Sequence, residues 1–395
     1  MNTIYEGLLR LIKSALTEQA VSLPEGFTLE AAQEPIKSHA LVPLVYPGAI
    51  NCGISTKTAL MQKYQLKYFR HLVVSDRQMR EVDRLCKAFQ DNGIDYMVLK
   101  GCNMKKLYPR PEMRSMGDAD ILIRLNQYKQ IREIMQSLEF ESVKESSYDY
   151  VWRTPDLYLE LHKRLYSPAQ TILCRYFGTG WDIASREQEH RFGMSCEDEY
   201  AYIFTHMAKH FRICGIGVRH FVDLYVYQQA HPDMDEKQIE RIMKQLQMLE
   251  FYRNVRRTLE VWFEDRQGDP VTELITEYVF SSGSFGTMEN KLYFEELTKA
   301  GKRHKGTKCS KFTSFLSAVF PSLSLMQASY NVLFRYPILY PFFWPVRWVD
   351  VLVHRRRNIS RKLGIIRNMS DEKLLDRERV MRLMGVNFDC DEDDE

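Results

Sequence analysis

Residues 96–123 read YMVLKGCNMKKLYPRPEMRSMGDADILI, and the predicted sheet core is built on this stretch. The apolar run at its start, Tyr96–Leu99, has the length and composition of a buried strand. Gly101 follows it, residues 102–107 can form a brief helix, and two prolines then enforce a loop. Residues 118–123 alternate in polarity, which predicts a second strand with both of its carboxylates on one face.

Helical sequence surrounds this stretch. Residues up to about 91 read as helices, and Asn92-Gly93 predicts a left-handed cap that ends the longest of them. Asn126 can cap a helix to about residue 138, and short strands are predicted at 140–143, 148–153 and 157–162. From about residue 164 onward the pattern is again mostly helical. We therefore expect an α+β protein in which a small mixed-sheet core is embedded between α-helical regions.

The expected domain organisation follows from these changes in pattern. It comprises an N-terminal helical region (1–92), an α/β core (93–165), a helical domain (166–310) and a C-terminal helical region (311–388). The basic stretch 299–311 is expected to be a linker. Residues 389–395 hold six carboxylates and are expected to form a disordered acidic tail. Without those six charges the net charge of +3 becomes +9, which suits phosphate-bearing partners without singling out nucleic acid.

Cysteine usage and the termini bear on the cellular location. The eight cysteines include no C-x-x-C pair, so reduced thiols in a cytoplasmic protein are the simplest interpretation. The N-terminus reads as an amphipathic helix without the pattern of an export signal. Residues 312–334 carry no charge, but Pro321 and several serines interrupt them, and we interpret them as packed helix rather than a membrane span.

The aromatic segment 333–353 leaves a choice open, because the basic run His354-Arg355-Arg356-Arg357 follows it. A peripheral membrane anchor is possible. The favoured interpretation is core packing of its aromatic side chains, which are Phe334, Tyr336, Phe342, Phe343 and Trp344.

The carboxylates carry the predicted chemistry. Asp118 and Asp120 stand at i and i+2 on a strand, where their side chains point to the same side about 7 Å apart. Glu160 would join them if its strand lies beside theirs, and such a cluster is unfavourable unless cations neutralise it. Oxygen ligands suit Mg²⁺, or Mn²⁺, bound together with a nucleoside triphosphate. We expect all three carboxylates to act as metal ligands and in catalysis.

Phosphate oxygens also need donors. Backbone N–H groups at Lys100-Gly101-Cys102 could face them, and Gly101 would allow a close approach. Arg110 and Arg114 could add charge-assisted hydrogen bonds. Lys100, Gly101 and Arg114 are therefore the predicted nucleotide-binding residues, although Lys100 could instead extend its charge to solvent from the strand end.

These motifs, followed by LYLELH at 157–162, resemble the bacterial "uncharacterised nucleotidyltransferase" family of the polymerase-β-like superfamily. The resemblance covers roughly residues 94–165. It implies a glycine turn at Lys100 and Gly101, a loop arginine at Arg114, and a metal pair at Asp118 and Asp120. It also implies that Glu160 is the third carboxylate and His162 its companion, for which a structural role is favoured over a catalytic one.

The sequence departs from the wider superfamily at one position. A second glycine or a serine usually follows the turn glycine, whereas Cys102 stands here. Because a thiol is a poor donor, this raises the alternative of an inactive nucleotide-binding module.

A second resemblance lies in the helical region, where a histidine-rich helix precedes an arginine and an aspartate. These candidate second-substrate residues are His206, His210, Arg219 and Asp223, together with His162. A zinc site at the two helix histidines lacks a third ligand at a recognisable spacing, and Arg219 with Asp223 is most simply an i,i+4 ion pair.

The resulting hypothesis is a metal-dependent enzyme that moves a nucleoside monophosphate from a triphosphate to an acceptor and releases pyrophosphate. The alternatives are the inactive module and a membrane-peripheral partner in surface-polysaccharide assembly, which the resemblance and the aromatic-basic segment suggest. No RNA- or DNA-binding motif is evident, and the sequence does not identify the acceptor.

Overall fold

The computed structural model describes residues 1–146, 148–302, 332–350 and 364–386, with the single residues Phe320, Leu323, Met326, Tyr330 and Arg361. Most of the predicted 299–311 linker, most of the uncharged segment 312–334 and the acidic tail lie outside these residues. Residues 299–302, the first of that predicted linker, lie in a helix that ends at Lys302.

Helices precede the sheet in the chain, as the sequence predicts. They are α1 (Thr3–Thr17), α2 (Gln33–Ser38), α3 (Val42–Asn51) and α4 (Ala59–Asp91). Asn2 caps α1 by accepting from the backbone N–H of Ile4. Gly93 follows the end of α4 with a φ of 68°, the left-handed conformation expected there.

The central region alternates strands and helices. Its elements are β1 (Tyr96–Leu99), α5 (Gly101–Leu107), β2 (Ala119–Ile123), α6 (Tyr128–Ser137), β3 (Glu141–Glu145), β4 (Asp149–Arg153) and β5 (Tyr158–His162). Then follow α7 (Thr171–Phe177), β6 (Ser185–Arg186) and β7 (Arg191–Gly193). Asn126 is not the cap of α6, because it lies inside a 3₁₀ turn, Leu125–Gln127, and Gln127 takes the capping position.

The rest of the described chain is helical. Its helices are α8 (Cys196–Ile213), α9 (Val218–Ala230), α10 (Glu236–Gln245), α11 (Leu249–Phe263), α12 (Pro270–Ser282), α13 (Met288–Lys302), α14 (Val332–Arg335), α15 (Phe343–Asp350) and α16 (Asp371–Leu383).

All these strands join one mixed sheet in the order β3-β4-β5-β2-β1-β7-β6. β2 lies in its interior, antiparallel to β1 and parallel to β5. The α+β class with a mixed-sheet core is thereby confirmed. The sheet also extends beyond residue 165, the expected end of the α/β core, because β7 pairs with β1 in parallel.

The two faces of the central strands differ in chemistry. Apolar side chains of β1, β2, β4 and β5 pack on one face against α4 and α6, in a core that includes Phe89, Ile121, Ile131, Trp152 and Leu161. The opposite face of β2 and β5 carries the carboxylates. Because alternate side chains of a strand point to opposite faces, the same alternation builds the core and presents the polar groups.

The buried face of α4 differs from its apolar sequence pattern. Leu72 and Val73, which follow the helical spacing of the apolar residues in this helix, are exposed. Ser75 and Gln78 are buried instead, and Gln78 donates a hydrogen bond to the carbonyl of Met116 at 3.1 Å. A polar residue with a tertiary partner can therefore occupy a position that hydrophobicity alone assigns to leucine or valine.

The chain divides into two compact units. The first contains residues 1–210, 216–285 and 384–395, and the second contains residues 211–215 and 286–383. In the second, Arg377 on α16 donates to the side chain of Asn290 on α13 at 2.6 Å.

Core packing does not account for all aromatics of segment 333–353, because Tyr336 is 50% exposed and Phe342 is 73% exposed. Among the described residues, no helix has the length and apolarity that crossing a membrane requires.

Candidate active site

Two neighbouring strands bring the predicted carboxylates to one place. β2 and β5 run parallel, and their register sets Asp120 directly opposite Glu160. Asp118 lies two residues earlier, immediately before β2. The sequence predicted that Glu160 would join the two aspartates only if its strand lay beside theirs. The structure meets this condition, because β5 pairs directly with β2.

Asp120 is the most enclosed of the three carboxylates. His162 Nε2 lies 2.7 Å from Asp120 Oδ1, and Lys100 Nζ lies 3.6 Å from the same oxygen. Burial alone would raise the pKa of Asp120, but the Lys100 charge and the hydrogen bond with His162 outweigh it and lower the pKa to about 2. Asp120 is accordingly an anion at neutral pH.

Asp118 and Glu160 experience the opposite balance. Burial and the negative charge of Asp120 raise the pKa of both carboxyl groups. This repulsion between neighbouring carboxylates is what a bound cation relieves. Donor atoms of Asp120, Glu160 and His162 all lie within 4.8 Å of one another, a spacing that fits a divalent ion. Asp118 lies outside this group of three.

The turn between β1 and α5 depends on a close approach of the chain. Lys100 itself has a φ of 38°, which is costly for a residue with a side chain. At Gly101, a Cβ would come within 3.3 Å of Arg114 Nη1 and of Met116 Sδ. The glycine therefore makes room for a buried guanidinium.

Cys102 does not face the carboxylates. Its side chain is buried in the apolar core and its Sγ lies 3.6 Å from Met116 Sδ. Burial raises the pKa of this thiol to about 12. The departure from the superfamily pattern at this position is thus a packing feature of the core.

Arg114 has a different partner from the predicted one. The sequence predicts phosphate contacts, but its guanidinium is buried and holds Asp223 on α9 through two hydrogen bonds of 2.8 and 2.9 Å. It also donates to the Gly101 carbonyl at 3.2 Å. Tyr108 donates its hydroxyl to the same Asp223 at 2.7 Å. Arg114 thus ties the loop before β2 to α9.

The predicted i,i+4 pair of Arg219 with Asp223 is therefore wrong as a direct contact. Asp223 is bound by Arg114, and Arg219 Nη1 donates to the backbone carbonyl and the hydroxyl of Ser115 at 2.7 and 3.0 Å. The i,i+4 spacing on α9 places Arg219 near Asp223 without an ion pair between them, because Arg114, which lies outside the helix, binds Asp223 through two hydrogen bonds. Burial and the nearby Arg114 charge lower the pKa of Arg219.

A pocket opens beside these residues. Its walls come from α5, the loop before β2, α8 and α9. The predicted site residues that line it are Lys100, Gly101, Arg114, Asp118, Asp120, His206, Arg219 and Asp223. The other lining residues are Met104, Ser115, Met116, Gly117, Ile203, Met207 and His220. Most of the predicted site residues therefore border one cavity. Glu160, His162 and His210 are outside its lining.

The rings of His206 and His210 meet edge to face, with centroids 4.7 Å apart and planes inclined by 65°. Burial and the Lys100 charge lower the pKa of His206 well below its ordinary value and that of His210 to about 4, so both rings are neutral. Among the residues that the structure describes, the only cluster of three potential metal ligands is Asp120, Glu160 and His162, and neither of these two helix histidines belongs to it.

Sequence reasoning missed His220 as a pocket residue. In the part of the chain that the structure describes, its Nδ1 is buried without a hydrogen-bond partner, and burial lowers the pKa of its ring to about 3. The signal was present, because His220 directly follows Arg219 in the segment already singled out.

The comparisons with known proteins give the class first. Residues 27–264 match the profile of a nucleotidyltransferase family, so the chain is an enzyme of nucleotidyl transfer that uses a nucleoside triphosphate. The chain belongs to the family described as "Uncharacterised nucleotidyltransferase". The predicted resemblance is thereby confirmed over a much longer stretch than its motifs covered.

Two further comparisons complete these findings. No curated protein matches the chain. Among solved structures, the solution structure of the antibiotic-resistance factor ANT(2'')-Ia is similar with a TM-score of 0.33 and 12% identity, covering 49% of this chain and 100% of that one.

Proposed function

We propose that the protein transfers a nucleoside monophosphate from a nucleoside triphosphate to an acceptor in a reaction that depends on Mg²⁺ or Mn²⁺ and releases pyrophosphate. The observation that carries this proposal is the parallel register of β2 and β5, which sets Asp120 opposite Glu160. In the proposal Asp118, Asp120 and Glu160 hold the cation. When bound, a divalent cation offsets the charge of the triphosphate and of the departing pyrophosphate.

Lys100 and Arg219 are the proposed phosphate contacts. Both line the pocket that also contains Asp118 and Asp120. The Arg114 guanidinium is occupied by Asp223, so its contribution is to position the loop that carries the aspartates. This assignment transfers the role predicted for Arg114 to Arg219.

Glu160 is the proposed proton acceptor for the attacking hydroxyl group. It lies opposite Asp120, next to the proposed cation site, where its carboxylate can accept a proton from a bound hydroxyl group. A carboxylate has two oxygens, so Glu160 can hold the cation with one and accept the proton with the other.

The acceptor is proposed to enter the pocket on the side of α8, where Ile203, His206 and Met207 form a mixed polar and apolar wall. Neutral imidazoles there can donate or accept hydrogen bonds without adding charge.

The alternative of an inactive module loses its sequence argument, because Cys102 packs in the core. A reducing, cytoplasmic setting is part of the proposal, since no disulfide joins the six cysteines of the described chain.

The test is label transfer by the full chain. Each α-labelled nucleoside triphosphate is supplied with Mg²⁺ or Mn²⁺ and a fractionated small-molecule and macromolecular acceptor pool, and labelled product and pyrophosphate are measured. We expect both to require the cation and to disappear in Asp120→Asn. The control is Asp156→Asn, which removes an exposed carboxylate in the turn before β5. Transfer that persists in Asp120→Asn, or the lack of any cation-dependent nucleotide binding, contradicts the proposal.

A further inference from the structure

We infer that His162 is a direct ligand of the cation, so that the site has a mixed imidazole and carboxylate donor set and binds Mn²⁺ more tightly than Mg²⁺. The inference rests on the proposed function, which requires a divalent cation at Asp120 and Glu160. It assigns to His162 a role beyond that of a companion to the carboxylates.

The distances fit a common ion. Ligands at about 2.1 Å in an octahedral shell lie about 3 Å apart when adjacent. His162 Nε2 lies 2.7 Å from Asp120 Oδ1 and 3.7 Å from Glu160 Oε2. One ring nitrogen thus approaches both carboxylates, and the donor atoms of all three residues lie within 4.8 Å of one another.

The strand backbone fixes this arrangement. Glu160 and His162 are two residues apart on β5 and share its polar face. β5 pairs with β2 on one side and with β4 on the other, so the imidazole is attached to an interior strand. Its side chain is only 13% exposed. The ring is therefore held where the carboxylates converge, unlike a histidine on a mobile surface loop.

The chemistry of the donor set determines which ion it favours. Mg²⁺ prefers a shell of oxygens and takes nitrogen ligands poorly. Imidazole is a common ligand of transition-metal ions, and Mn²⁺ combines tolerance for nitrogen with the carboxylate and phosphate ligands of a nucleotide site. Asp118 lies outside the group of three and adds a further carboxylate to the proposed cation site.

The competing interpretation is that His162 only donates a hydrogen bond to Asp120. In that arrangement the imidazole stays outside the coordination shell when the cation binds. Pulsed electron paramagnetic resonance separates the two, because a directly bound imidazole nitrogen gives a characteristic hyperfine coupling to Mn²⁺ and a more distant ring does not.

The experiment uses the full chain with Mn²⁺ and a non-hydrolysable nucleoside triphosphate. We expect an imidazole coupling in the wild type and in the control His206→Gln, and its loss in His162→Gln. By calorimetry, His162→Gln should weaken Mn²⁺ binding about tenfold or more and Mg²⁺ binding less. Circular dichroism verifies folding of each variant.

The outcomes are distinct. Bound Mn²⁺ without an imidazole coupling, or a coupling that survives in His162→Gln, overturns the ligand assignment and leaves the proposed function intact. Equal losses of Mn²⁺ and Mg²⁺ affinity overturn the selectivity. If neither ion binds with nucleotide, the proposed function fails together with the inference.

Discussion

Asp223 accepts two hydrogen bonds from Arg114, a residue 109 positions earlier in the chain, and the pair is buried. This contact joins α9 to the loop that precedes Asp118. A buried ion pair of this geometry is costly to break, because the remaining charge is left without compensation.

We therefore predict that Asp223→Ala destabilises the protein by about 3–5 kcal/mol. Urea unfolding followed by fluorescence measures the change. The double variant Arg114→Met with Asp223→Leu removes both charges and should recover most of the loss. A single variant as stable as the wild type would show that the pair contributes little to the folded state.

Cys102 provides a test of packing against phosphate binding. Its thiol lies in the core beside Met116, so Cys102→Ser should destabilise the fold by about 1–3 kcal/mol through burial of a hydroxyl group. Cys102→Ala should leave the KM for nucleotide unchanged. If the KM for nucleotide rises in the alanine variant while its stability is unchanged, Cys102 takes part in nucleotide binding.

Arg219 is expected to act on the nucleotide. Arg219→Gln should raise the KM for the triphosphate by about tenfold or more, since a hydrogen bond to a charged group contributes about 1.5–3 kcal/mol. Steady-state kinetics measures this, with Arg153→Gln as the control because Arg153 pairs with Glu141 at the surface. Equal kinetics in the two variants would exclude a phosphate contact by Arg219.

The lowered pKa of Asp120 predicts that the stability of the fold depends on pH. Its folded pKa of about 2 lies below the ordinary value of 3.8, so its contribution is complete above about pH 4 and is lost as the pH falls toward 2. The contribution is about 2 kcal/mol. Urea unfolding in chelator at pH 2 to 7 should show a smaller acid-side loss in Asp120→Asn. Identical pH profiles would mean that His162 and Lys100 do not stabilise this carboxylate.

The local elements of the core were predictable from sequence. Alternation in residues 118–123 and the turn residues before β5 identified β2 and β5, because both signals lie within a few residues. The pairing of Asp120 with Glu160 was only conditional, because sequence does not fix which strands are neighbours. Parallel pairing across an intervening hairpin is a property of the whole sheet.

Tertiary partners were harder to predict than elements. Arg114 has a phosphate-binding pattern in sequence, yet its partner Asp223 lies on a distant helix. Leu72 and Val73 follow helical spacing, yet the face of α4 that is buried includes Gln78, which bonds to Met116. In both cases a long-range hydrogen bond decided which side chain was buried, and local periodicity carries no record of such bonds.

The interior position of β2 and β5 has a consequence for motion. Five strands surround the pair, with β3 and β6 at the two margins of the sheet. Native-state opening begins where backbone hydrogen bonds are fewest, so fraying at those margins leaves the acidic face assembled. The amides of β2 should exchange with deuterium only when the whole unit unfolds, and a cation bound there would slow that global event rather than the local ones.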